Sequence, residues 1–271
     1  MQVYRGLDVG TAKPTAQQRD AVRHHLLDVV APDEDWSAAR TQQRGRAAVG
    51  EIEARGHRAL LVGGTGLYVQ AVVDDLQFPG EDLTLRAELE ARTRQPGGVA
   101  AAYTDLTVRD PDAAARIDPH NARRIVRALE VIELTGRPFS SFGPGVRAPG
   151  PTAFAVRLVG VWLPRDVLAQ RIGARVAAMR DAGLVAEVAR IRAAPGFGRT
   201  AAQGIGYQEV GEALEAGRDP GPDDFDAIVR HTRSFARRQR MWFRRDPRIT
   251  WYGTGANPCE LLPALLAAWS P

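Results

Sequence analysis

Polar and apolar residues alternate from the first position of MQVYRGLDVG, a strand-like pattern that runs straight into the turn cluster GTAKPT. The segment SAARTQQRGRAAVGEIEARG then has helical texture, with Ser37 placed to cap its start and Gly56 to stop its end. Ala59 to Val62 form a short apolar run, predicted as a buried strand, which ends in the glycine turn Gly63-Gly64-Thr65-Gly66. Helix, buried strand and glycine turn in that order predict an α/β core whose parallel strands are joined by crossovers.

From about 81 to 145 the pattern changes. LRAELEARTRQ and ARRIVRALEVIELTGRP are amphipathic, VRDPDAAARIDPHN between them carries two Asp-Pro steps, and no strand candidate occurs. A helical insertion over 81–145 is therefore expected to divide a core made of 1–80 and 146–271. GPGVRAPGP, at 143–151, reads as a linker. TAFAVRLVGVWLP regains strand character, and LAQRIGARVAAMRDAGLVAEVARI predicts one long helix. A Gly-rich loop follows at 195–206, then a last long helix over roughly 224–245, and RITWYG closes as a strand.

Hydrophobic residues make up 44% of the 271, enough for a substantial core. No run of apolar residues is long enough to span a bilayer, and no charged segment followed by an apolar one marks a signal peptide. The expectation is a cytoplasmic protein, and a monomer. Cys259 is the only cysteine, which excludes an internal disulfide and a cysteine-based zinc site. The formal net charge is +4, but Lys13 is the only lysine, so 35 of the 36 basic residues are arginine. Abundant Ala and Gly make genomic base composition the plain explanation. Arginine nonetheless forks onto phosphates and stacks on bases, so its placement matters more than the total.

Four constellations stand out. The turn Gly63–Gly66 could present backbone N–H groups to an anion at a helix N-terminus, or be an ordinary strand-to-helix turn. Arg230, Arg233, Arg237, Arg240 and Arg244 recur at steps of 3, 4, 3 and 4. They line one helical face over about 21 Å. A stripe of one sign without interleaved acids favours a polyanion such as nucleic acid over a merely solvated face. Arg123 and Arg127 lie one turn apart on a helix with apolar Ile125, Val126, Leu129 and Ile132, Asn121 at its start and Gly136 at its end. Arg171 and Arg175 share a face and could clamp a diphosphate, although spacing alone favours a surface position. The five histidines show no metal-ligand spacing.

These segments, in order, resemble the tRNA dimethylallyltransferases, which move a dimethylallyl group from its diphosphate to N6 of the adenosine 3′ of the anticodon. The resemblance is carried by MQVYRGLDVGTAKPT, HHLLDV, LLVGGTGLY, DPHNARRIVRALEV, LAQRIGARV, GLVAEV, GIGYQEV and RRQRMWFRR. It implies a phosphate-loop (P-loop NTPase-like) parallel sheet core with a helical insertion. Thr65, as a catalytic group, and Arg86 would contact tRNA near the target base, with Gln2 at the edge of the site. Arg123, Arg124, Ile125, Val126 and Arg127 would grip the anticodon stem-loop. So would Gln203, Gly204, Ile205, Gly206, Tyr207 and Gln208, and Arg237, Arg238, Gln239, Arg240, Met241, Trp242, Phe243 and Arg244. Arg171 and Arg175 would hold the diphosphate of dimethylallyl diphosphate. The acceptor adenine would be flipped out of its stack.

The family also has a phosphate loop, G-x-T-x-x-G-K-S/T, and an Asp-Ser pair ahead of the Gln-Val-Tyr-Arg-Gly run. The loop helps hold Mg²⁺ and the Asp serves as general base. Neither segment occurs in this sequence. The start at Met1 is therefore expected to be an internal methionine, with Mg²⁺ implied by the family and its ligands outside these residues. Loss of a central first strand would leave neighbouring strands unpaired, at about 1–3 kcal/mol per orphaned group. Negligible transfer with RNA binding retained is expected of these residues alone. The alternatives are a non-catalytic tRNA-binding remnant and an isopentenyltransferase acting on free adenine nucleotides.

Overall fold

The computed structural model describes residues 1–143 and 149–269. Residues 144–148 of the expected linker lie outside the described residues. The chain divides into two compact units, Met1–Val73 with Thr152–Pro271, and Asp74–Pro151. It is an α/β protein rich in helix.

The first residues do not form the strand that their alternation predicts. Only an isolated parallel bridge, Tyr4 with Val30, is made. The segment turns at Gly6, whose φ is +74°, and is organised by Lys13 instead of by a ladder. The Lys13 ammonium donates to Tyr4 O (2.6 Å) and Asp8 Oδ1 (2.7 Å) and pairs with Asp28. Helix α1 (Ala16–Ala21) starts from a Thr15–Gln18 capping box. Helix α2 (Ala38–Ala54) is capped by Ser37, which accepts from the Arg40 N–H, and Gly56 follows it at φ +74°. Helix α3 (Gly66–Val73) ends this part of the first unit.

The predicted strand over 59–62 is also absent. Leu60, Leu61 and Val62 are 63%, 43% and 82% exposed and belong to no ladder. An extended segment becomes a strand only where a neighbour takes its N–H and C=O groups, and no described strand lies alongside.

The second unit holds α4 (Leu83–Thr93), α5 (Gly98–Arg109), α6 (Pro111–Ala114) and α7 (Ala122–Thr135). Asn121 caps α7 by accepting from the Arg124 N–H, and Gly136 closes it in the left-handed region. Leu89, Leu106, Ile125, Val126, Leu129 and Ile132 form the core of this unit.

Back in the first unit, β1 (Leu158–Trp162) leads into α8 (Arg165–Asp181) and α9 (Leu184–Ala193). Here one helix was expected and two form. Gly183, at φ +94°, breaks the run and turns Leu184, Val188 and Ile191 into the core. Helix α10 (Tyr207–Glu215), α11 (Pro222–Phe243), β2 (Ile249–Gly253) and α12 (Leu262–Trp269) complete the chain. β1 and β2 pair in parallel, from Leu158 with Ile249 to Trp162 with Gly253. Helices α8 and α11 run antiparallel. Arg180 lies over Phe225, Arg233 reaches Ala169 O, and Arg240 lies over Trp162.

Candidate nucleic-acid interface

Thr65 opens α3, its carbonyl accepting from the N–H groups of Tyr68 (2.9 Å) and Val69 (3.0 Å). The threonine itself is exposed. The glycines on either side of it are covered by α11. Gln239 Nε2 donates to Gly64 O at 2.8 Å, and a Cβ on Gly64 would collide with that amide. A Cβ on Gly66 would collide with the Trp242 indole. Close approach of a helix, and not backbone dihedral, is what these two positions require of glycine.

The other side of α11 carries the arginine stripe. Arg230, Arg233, Arg237 and Arg244 are exposed, and Arg240 is half-buried with its guanidinium 5.3 Å from the Trp162 ring centroid. Among the described residues none of the five pairs with a carboxylate. Arg238 donates to Ser234 Oγ at 2.9 Å, Met241 is exposed, and Phe243 is half-buried. On α8, Arg171 and Arg175 are exposed one turn apart, beside the buried Ile172 and Val176, and likewise pair with no carboxylate among the described residues. Arg230, Arg237, Arg244, Arg171 and Arg175 face solvent and can take phosphate oxygens without first giving up an internal partner, whereas Arg233 reaches Ala169 O and Arg240 lies over Trp162.

The Gly-rich loop ahead of α10 is built differently. Gln203 and Gln208 are exposed, Ile205 is half-buried, and Gly204 and Gly206 are buried. Tyr207 is buried, and its hydroxyl donates to Glu187 Oε1 at 2.6 Å. The same carboxylate accepts from the N–H groups of Asp8 (2.8 Å), Val9 (2.9 Å) and Gly10 (3.2 Å). Burial and then the hydrogen bond to Glu187 push the Tyr207 phenol well above its ordinary range, so it stays neutral. Its side chain is an internal strut between two loops and offers no surface to RNA, contrary to the expectation for this position. Gly206, at φ +93°, donates its N–H to Glu209 Oε2 (2.6 Å), and Glu209 Oε1 lies 2.6 Å from His231 Nδ1 on α11. Gln2 is inward-directed as well, its amide donating to Thr11 O and Ala12 O at 3.1 Å each.

Sequence reasoning missed Lys13, Asp28, Glu187 and Glu209 as organisers. Burial alone would raise the Asp28 carboxyl, but Lys13 and Arg19 outweigh it and hold the group below the usual carboxylate range. The one available signal was Lys13 itself, the single ammonium in a chain that otherwise uses arginine.

In the second unit, Arg123 and Arg124 are exposed at the start of α7. Ile125 and Val126 are core residues, 0% and 2% exposed, so their side chains cannot serve as a grip. Arg127 donates to Pro79 O (2.7 Å) and Gly80 O (3.1 Å) and pairs with Glu130 at 2.9 Å. Arg86 donates from Nε and Nη2 to the two oxygens of Glu130, each at 3.0 Å, and from Nη2 to Glu81 at 3.2 Å. Both guanidinium groups are engaged within the unit. Burial works to raise the Glu130 carboxyl, and the bonds from Arg86, Arg127 and the Asp82 N–H more than offset it, leaving the group below its ordinary value. No group of three or more His, Cys, Asp or Glu among the described residues could hold a metal ion. The described residues thus do not fit a protein-only Mg²⁺ site.

The family described as IPP transferase matches residues 2–246 of this chain. A tRNA dimethylallyltransferase of Bifidobacterium adolescentis is 46% identical over 96% of this chain and 75% of its own length. One from Salinispora tropica is 51% identical over 95% of this chain and 79% of its own. The crystal structure of a tRNA isopentenylpyrophosphate transferase from Bacillus halodurans superposes with a TM-score of 0.68 at 36% identity, covering 99% of this chain and 84% of that one. A eukaryotic dimethylallyltransferase acting on tRNA shares the fold, with a TM-score of 0.77 at 23% identity and coverage of 99% and 71%.

Proposed function

This chain belongs to the IPP transferase family, and from that premise we propose that it transfers a dimethylallyl group from dimethylallyl diphosphate to N6 of the adenosine 3′ of the anticodon in tRNA. A new bond forms between N6 and the allylic carbon. The carbon–oxygen bond to diphosphate breaks, the diphosphate leaves with its electron pair, and N6 gives up one proton. That proton passes to a general base, which the family resemblance implies is an Asp.

The residues of this chain supply binding and orientation. In the first unit Arg237, Arg240 and Arg244 of α11 contact phosphates of the anticodon stem-loop, and Gln203 and Gln208 add polar contacts; the second unit, by itself, offers Arg123 and Arg124 to RNA phosphates. Such contacts give affinity and register, not base choice. Arg171 and Arg175 take the diphosphate. Thr65, exposed at the N-terminus of α3, meets the flipped adenine. The protein acts as a cytoplasmic monomer, and Mg²⁺ accompanies the diphosphate.

One observation carries this reading: the helix with the unpaired arginine stripe is the same helix that seats Gln239 and Trp242 on the glycine turn at Thr65. This packing supports the reading that one helix both carries cations for RNA and supports the turn whose Thr65 is expected to meet the base. The test offers the chain labelled dimethylallyl diphosphate with tRNA and AMP as competing acceptors. What label is transferred is expected in tRNA and undiminished by AMP, in small amount because these residues alone are expected to transfer poorly. Label in AMP, or tRNA displaced from the chain by AMP, contradicts the proposal.

A further inference from the structure

Gln239 and Trp242 sit in the sequence of the arginine helix, and the family resemblance groups them with its RNA contacts. Their geometry is different. The Gln239 side chain is half-buried and its amide donates to Gly64 O at 2.8 Å. The Trp242 ring fills the space that a side chain on Gly66 would occupy. Between these two seats stands Thr65, the exposed residue of the turn. The amide of Gln239 that would reach an RNA group is already spent on the protein backbone. A free glutamine on a solvated helix face would hold no fixed partner; this one fixes the carbonyl immediately before Thr65.

We propose that Gln239, supported by Trp242, is a positioning residue: it acts on the acceptor adenosine through the Gly64–Gly66 turn and Thr65, and not by touching RNA. The proposal rests on the reading that RNA lies along α11 with its target base at Thr65. It divides the helix by function. The arginines set how tightly RNA is held, and Gln239 sets where the base settles once held. Gly64 offers an independent handle on the same contact. Its φ lies outside the left-handed region, so alanine is compatible with the backbone there, and the three atoms nearest the added Cβ all belong to the amide end of the Gln239 side chain. Gly64→Ala therefore expels the amide without altering α11.

The test uses a synthetic anticodon stem-loop with 2-aminopurine in place of the acceptor adenosine, whose fluorescence rises when the base leaves its stack. Titration with the full chain yields both a Kd and a saturated amplitude. Gln239→Met keeps the volume and removes the donor. Q239M and G64A are each expected to lower the ratio of unstacked to stacked base in the complex, read from the saturated amplitude, by about threefold to tenfold, the size of one neutral hydrogen bond, with Kd weakened by no more than that factor. The double variant is expected to fall no further than the lower single, because both changes break one contact. R237Q should do the reverse, weakening Kd at full amplitude. The proposal is overturned if Q239M weakens Kd as R237Q does at full amplitude, if it leaves the amplitude unchanged, or if the two losses multiply in the double variant. A parent chain that binds the stem-loop with no rise in fluorescence overturns the base-flipping reading itself, and this proposal with it.

Discussion

Lys13 and Glu130 are buried charges of opposite sign whose surroundings decide what they are for. The Lys13 side chain is 3% exposed and spends its ammonium on Tyr4 O, Asp8 and Asp28, so it organises the loop before α1. Lys13→Met should cost about 2 kcal/mol in urea unfolding, less than a fully buried pair because Asp28 is partly exposed and keeps Arg19. Arg86→Met strips two hydrogen bonds from the fully buried Glu130 and should cost about 3 kcal/mol by the same measurement. Glu130 also predicts a pH effect. Its carboxyl is held below the ordinary value, so its contribution is complete above about pH 4.3, the unperturbed value. It is lost as pH falls through the lowered pKa. Urea midpoints followed from neutral to acid pH should therefore drop, and Glu130→Gln should begin lower and drop less. None of this was legible from the local pattern. The family resemblance makes Arg86 an RNA contact, and its bonds to Glu130, 44 positions away, lie beyond any helical or strand period.

Helix ends were legible where a single residue does the work. Ser37, Asn121 and Gly136 cap as their chemistry dictates, since the capping group and the orphan N–H or C=O are neighbours in sequence. Elements that depend on distant partners were not. Leu60 to Val62 have the composition of a buried strand and remain exposed, because a strand is defined by a neighbour that composition does not reveal. The break at Gly183 was missed for a related reason: helical periodicity continues across it, and only the need to turn Leu184 and Val188 into the core calls for a left-handed residue. Gly183→Ala leaves open space around the new Cβ but puts it at φ +94°. It should cost about 1–2 kcal/mol, read as a lower thermal midpoint with unchanged helix content.

For the molecule as a whole, the RNA-binding account joins positions 64–66 at the start of α3, Trp162 of β1, Arg171 and Arg175 of α8, and 237–244 at the end of α11. Their separation in sequence hides the arrangement from periodicity, and the ordered motifs of the family are what made it legible. The arginine stripe could be read directly, since five cations at helical spacing need no tertiary partner to declare their face. What the sequence could not show is that the opposite side of that helix closes on the glycine turn. The most direct test titrates an anticodon stem-loop at several salt concentrations with the parent chain and with the triple variant R237Q/R240Q/R244Q. If these arginines grip the RNA backbone, the slope of log affinity against log salt should become shallower by about 2–3, and affinity at low salt should fall sharply. A triple variant with the parent's slope and affinity would show that RNA is held elsewhere and contradict the account.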